Sequence, residues 1–162
     1  MPWIAFKITI INTAFWLVCC FGMAWLVRLF PKSLYHPANG LFKEKSFERK
    51  LYKKMNVAVW KDKLPEWGKL LSFEKKNLHK DITLAYIDQF ILETCYAEAG
   101  HLGMAAAGFA CIFINSSTNF LMALSFAIAN VCIQLPFILI QRYNRPRLLR
   151  LRMKYNKKAT FY

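Results

Sequence analysis

Long uncharged runs alternate with strongly basic stretches along this chain. From Ile8 to Val27 the run ITIINTAFWLVCCFGMAWLV carries no charge, and Asn12 is its one strongly polar interruption. A hydrocarbon core of about 30 Å is crossed by roughly 20 helical residues. The run therefore predicts a first span over about 8–28, with Arg28 and Lys32 snorkelling at its end. A cleaved leader is the alternative, but the run is long for one and no Ala-x-Ala site follows it. A second helical stretch starts at Ile82. It begins amphipathic, with Asp88, Glu93 and Glu98, and becomes wholly apolar in HLGMAAAGFACIFI. It predicts a span over about 96–114 whose small residues, Gly100, Gly103, Ala105, Ala106, Ala107 and Gly108, let another helix approach closely. Residues 115–119 read as a short polar turn. The third uncharged run, 120–140, is interrupted by Asn130, Gln134 and Pro136, and the proline predicts a kink.

The loop between the first two spans, about 29–81, has another character. Residues 28–80 hold 14 Lys/Arg and 5 Asp/Glu, with Trp60 and Trp67 among the charges and Pro31, Pro37 and Pro65 breaking the pattern. In SFERKLYKKMNVAVW, Phe47, Leu51, Met55 and Val59 recur at intervals of four. That is one apolar stripe with basic flanks, which predicts a helix lying in the membrane interface. A soluble basic helix packed on its own domain is the alternative. The tail, 141–162, holds 8 Lys/Arg and no acid. Positive charge collects on the cytoplasmic side of a membrane. The N-terminus is therefore expected outside, the long loop inside, the 115–119 turn outside and the tail inside. The expected fold class is an all-α integral membrane protein, one domain over 1–162, with three transmembrane helices and a basic amphipathic interfacial region.

Composition narrows the partners. The 162 residues are 56% hydrophobic with a formal net charge of +14. This is too apolar for a disordered chain or an ordinary soluble domain, and the basic parts are matched to anionic membrane lipids. Nucleic acid is the weaker partner, because the basic residues adjoin spans and lipid phosphate is nearer. Cys19, Cys20, Cys95, Cys111 and Cys132 all lie in apolar stretches, and none forms a Cys-x-x-Cys pair. Neither a disulfide framework nor a metal set is supported, and no cofactor is expected. The serine-nucleophile elbow, the phosphate loop, the dinucleotide glycine fingerprint and His-Glu-x-x-His are missing. Base-assisted direct transfer is the simplest chemistry that remains.

Two clusters could carry it. Thr94, Glu98 and His101 are spaced i, i+4, i+7 and share a helix face. A carboxylate at i−3 can orient an imidazole and raise its basicity, as a general base requires. An ion pair anchoring the helix end is the structural alternative. The second cluster is Gln141-Arg142-Tyr143-Asn144-Arg145-Pro146-Arg147. Its three arginines offer planar forks for phosphate or carboxylate, and Pro146 disfavours helix at Arg145, which predicts a turn there. The alternative is a positive-inside stop signal. Two non-catalytic readings also fit: a membrane assembly protein joining a larger complex through its small-residue spans, and an anionic-lipid-binding module.

Three pieces of the chain resemble the glycosyl-4,4'-diaponeurosporenoate acyltransferase family, small membrane acyltransferases of staphyloxanthin-type carotenoid synthesis. They are Trp60-Lys61, then Glu93-Thr94-x-x-Ala97-Glu98-x-x-His101, then Gln141 to Leu148 preceded by Pro136. The likeness covers about residues 55–150. It implies transfer of a fatty acyl group from a cytoplasmic thioester donor to a sugar hydroxyl of a lipid-linked acceptor such as a carotenoid glycoside. It makes Glu98 and His101 catalytic candidates. Glu93, Arg142, Asn144, Arg145, Arg147, Trp60 and Lys61 become substrate-binding candidates. One departure stands out: an Asn is expected close before the membrane proline, whereas Gln134 occupies that place and Asn130 lies one turn earlier.

Overall fold

The computed structural model describes residues 2–64, 82–115 and 120–159. Pro65, Trp67 and most of the 115–119 turn lie outside the described residues. The described chain is helical, without a strand: α1 (Pro2–Leu29), α2 (Glu48–Lys54), α3 (Val57–Trp60), α4 (Leu84–Ala107), α5 (Cys111–Ile114) and α6 (Phe120–Ala159). Three stretches are long and apolar enough to cross a bilayer, Phe6–Leu29, Leu84–Ile114 and Phe120–Lys157. The all-α class is thus present, with three helical stretches long and apolar enough to span a membrane, as expected. The contacts divide the chain into two units, Met1–Phe30 with Ala97–Ile138, and Pro31–Tyr96 with Leu139–Tyr162.

The first unit is built around α1 and the adjoining parts of α4 and α6. Ile10, Leu17, Val18, Phe21 and Trp25 of α1 point outward, as apolar side chains do when lipid is the solvent. Polar groups turn inward and satisfy one another. The amides of Asn12 and Asn115 exchange hydrogen bonds of 2.8 and 2.9 Å. Each also donates to the carbonyl four residues earlier, at Ile8 and Cys111. Arg28, near the end of α1, donates from Nη1 to the Ala24 carbonyl at 2.8 Å. The small-residue stretch is used unevenly. A Cβ on Gly108 would stand 2.2 Å from Asn130 Nδ2 and 2.9 Å from Trp16 Cη2, whereas one on Gly100 would meet nothing within 4 Å. At Gly108–Ala110 the helix tightens into a 3₁₀ turn.

The second unit holds two clusters, Ile87, Phe90, Ile91 and Leu148, and Tyr52, Val57 and Tyr143 with Trp60 and Leu139 packed against them. Two expectations are corrected here. The amphipathic segment is two short helices rather than one, because Asn56 takes the left-handed conformation (φ 48°) between α2 and α3. Asn tolerates that conformation well. The apolar stripe itself faces outward, as an interfacial surface would: Phe47 is 58% and Val59 68% exposed, while Tyr52 and Val57 pack inward. The second correction concerns Pro146, where α6 continues as helix through the proline and no turn forms. A proline disfavours helix in the residue before it but does not forbid it, and here Arg145 is pinned by three hydrogen bonds.

Candidate active site

Arg145 is deeply buried and held by three side-chain hydrogen bonds. Only 2% of it is exposed. Its Nε donates to Thr94 Oγ1 (3.0 Å), Nη1 to the Phe42 carbonyl (2.8 Å) and Nη2 to the Thr94 carbonyl (2.9 Å). Its guanidinium also lies over the Phe42 ring. One planar fork thus ties α6 to α4 and to the loop before α2. A guanidinium does this where an ammonium would not, because its donors leave in fixed directions.

Arg142, one turn earlier, does the same work on the loop. Two of its nitrogens reach Glu48 Oε1 at 3.0 and 2.6 Å, and Nη1 and Nη2 donate to the Leu41 and Lys43 carbonyls. Glu48 also accepts from the Tyr52 hydroxyl at 2.8 Å. Burial first, then this hydrogen bond and the carboxylate's charge, push the Tyr52 phenol well above its usual range. Glu48 and Tyr52 were not singled out by sequence reasoning. The only signal was an acid four residues before a tyrosine in an otherwise basic loop.

The remaining substrate-binding candidates in this unit differ in accessibility. Arg147 is exposed, with its guanidinium 3.3 Å from the Tyr143 ring centroid and Nη1 donating to the Tyr143 carbonyl. Asn144 is half-buried. Glu93 is buried and accepts from Gln89 Nε2 at 3.1 Å. Trp60 donates its indole N–H to the Met55 carbonyl, and Lys61 pairs with Asp62 at 2.6 Å.

His101 belongs to the first unit and stands at the end of a relay that sequence spacing did not reveal. Its Nδ1 lies 2.7 Å from Gln134 Oε1. Gln134 Nε2 donates to Asn130 Oδ1 at 3.1 Å, and Asn130 Nδ2 donates to the Met104 carbonyl at 3.0 Å. A carbonyl can only accept, so it fixes which end of each amide points which way. Followed back, the polarity requires His101 Nδ1 to carry a proton and donate it. In the neutral ring the lone pair is then on Nε2. Phe137 stacks on the imidazole at 4.9 Å and 14°. Gln134 and Asn130 are the two polar residues that interrupted the third span. Glu98, one helical turn before His101, is completely buried. Among the described residues no group of three or more His, Cys, Asp or Glu is placed to hold a metal ion.

The arrangement can hold one imidazole as a base in a fixed tautomer and keep several guanidinium groups rigid. The family model described as glycosyl-4,4'-diaponeurosporenoate acyltransferase matches residues 31–154, extending beyond the segment that carried the resemblance. A protein of the same description from Staphylococcus haemolyticus (strain JCSC1435) is 31% identical over 170 aligned positions, covering 97% of this chain and 94% of the relative. No solved structure matches the chain. On these grounds the chain belongs to the glycosyl-4,4'-diaponeurosporenoate acyltransferase family and is an acyltransferase.

Proposed function

We propose that this acyltransferase moves a fatty acyl group from a thioester donor to a sugar hydroxyl of a membrane glycolipid, with a carotenoid glycoside as the model acceptor. The observation that carries the reading is the His101–Gln134–Asn130 relay, which leaves Nε2 as the basic nitrogen. His101 Nε2 takes the proton of the acceptor hydroxyl as its oxygen attacks the thioester carbonyl. The C–S bond breaks, and the departing thiolate recovers that proton. Glu98 acts with His101, its carboxylate favouring the transient imidazolium. Asn144 is assigned to substrate binding on the family resemblance. Arg142 and Arg145 act by holding the loop and α4 in place, and Arg147 binds the donor. Glu93, Trp60 and Lys61 are assigned to substrate binding on the family resemblance alone. The multi-pass orientation, with the N-terminus outside and the basic loop and tail cytoplasmic, puts both basic stretches on the side of a cytoplasmic donor and of anionic lipids.

The test is acyl transfer in membranes containing the enzyme, normalised to protein amount. His101→Ala and Glu98→Ala should each lose activity, and the double variant should be little worse than His101→Ala. Simple addition of the two losses would dissolve the pair and leave at most one catalytic residue. Full activity in His101→Ala would overturn the mechanism.

A further inference from the structure

The second unit contains an open cleft of about 410 Å³, and Arg147, assigned above to the donor, is among its lining residues. Two basic helix faces converge on it. Arg49 and Lys53, four apart on α2, line one side, and Arg147 and Arg150, three apart on α6, line the other; Asn56 contributes an amide. Glu44 is the one acid in the lining, and it is already engaged by Arg49 through bonds of 3.1 and 2.9 Å. Lys53 and Arg150 have no anionic partner among the described residues. Arg147 has its guanidinium carbon 3.3 Å from the Tyr143 ring centroid and one nitrogen donating to that residue's carbonyl, which restrains its fork.

Like charges brought together raise each other's free energy, and the effect is relieved only by salt or by a bound anion. A fork restrained at an aromatic ring, with two further cations beside it, suits phosphate oxygens rather than a single carboxylate. The volume lies within the range of small-ligand sites and exceeds what one phosphate fills. We infer that this cleft binds a diphosphate or a similar pair of phosphates. Two sources carry that chemistry at a membrane surface: the phosphorylated nucleotide end of a coenzyme A thioester, and the headgroups of anionic lipid. The first rests on the acyl-transfer reading above; the second does not.

The probe is inorganic pyrophosphate, titrated calorimetrically into the full chain purified in zwitterionic detergent. Binding should weaken with salt. Lys53→Gln and Arg150→Gln should each weaken it roughly ten- to hundredfold, the loss expected for a charged hydrogen bond. Both side chains are exposed, and helicity by circular dichroism checks that the variants fold. Competition by coenzyme A, with a raised KM for the donor and an unchanged kcat in both variants, assigns the phosphates to the donor. Competition only by phosphatidylglycerol vesicles assigns them to lipid. Pyrophosphate binding that is undetectable, or unchanged in both variants, overturns the site. The outcome is independent of His101: an inactive or active His101→Ala variant that still binds pyrophosphate leaves the cleft standing while deciding the base separately.

Discussion

In the unit formed by Met1–Phe30 and Ala97–Ile138, the long-range hydrogen bonds include two networks built from side-chain amides and one imidazole. In the unit formed by Pro31–Tyr96 and Leu139–Tyr162, they run through guanidinium groups, carboxylates and backbone carbonyls. The first has three Lys, Arg, Asp or Glu residues in all, Lys7, Arg28 and Glu98. Yet it satisfies Asn12 against Asn115 and carries His101 through Gln134 and Asn130 to the Met104 carbonyl. The second holds Arg142 on Glu48 and Arg145 on Thr94 and Phe42. A charge in hydrocarbon is costly, whereas a neutral amide is stable there once both ends are bonded. In the second unit guanidinium groups serve instead as rigid ties. The two units thus fix geometry with different polar groups.

Activity should respond most steeply to the imidazole. His101→Ala is expected to lower acyl transfer roughly 10²- to 10⁴-fold with normal membrane abundance, measured by product formation per enzyme. A loss of abundance instead of rate would make the relay a packing device and erase the contrast between the units.

Stability should respond most to the buried fork. Arg145→Lys keeps the charge but loses the directed bonds to Thr94 and Phe42. It should cost about 3 kcal/mol, read as a lower midpoint of thermal unfolding in detergent. Arg150→Lys, on an exposed position, should shift that midpoint little. Equal shifts would mean that burial does not distinguish these arginines.

The relay can be disturbed from both sides. Gly108→Ala drives a methyl group into Asn130 and Trp16 and is expected to cost about 1–3 kcal/mol, as overpacking does. Gly100→Ala meets no atom within 4 Å and should be neutral. Gln134→Leu removes the acceptor at His101 Nδ1. Activity should fall roughly tenfold, the loss of one net hydrogen bond. The imidazole ¹⁵N shifts should report a changed tautomer. An unchanged tautomer would show that the amide chain does not select it.

The smallest effect concerns pH. The raised Tyr52 phenol binds its proton more tightly folded than unfolded. The stabilisation is therefore complete below about pH 10, the unfolded value, and is lost as pH rises beyond it. The stability difference between the native chain and Tyr52→Phe should shrink above that pH, followed by thermal unfolding across an alkaline series. A constant difference would mean that neither burial nor Glu48 raises the phenol's pKa in the folded chain.

Hydropathy by itself determined the three spans and the all-α class, because helices of this length are what satisfies a backbone in hydrocarbon. Charge distribution marked the basic loop and tail, and the spacing Glu98–His101 marked the candidate base. Periodicity also found the outward stripe Phe47, Leu51, Met55 and Val59. It did not show the break at Asn56 or that Tyr52 and Val57 pack on Tyr143 and Leu139, some ninety residues away in the chain. The same distance limit applies elsewhere. The turn expected at Pro146 failed for the same reason: a local steric preference is weaker than three hydrogen bonds on Arg145. Asn130 and Gln134 looked like interruptions of a span until the fold brought Met104 and His101 alongside them. Hydrogen-bond direction is a property of paired groups, so only tertiary structure could decide which nitrogen of His101 carries the proton.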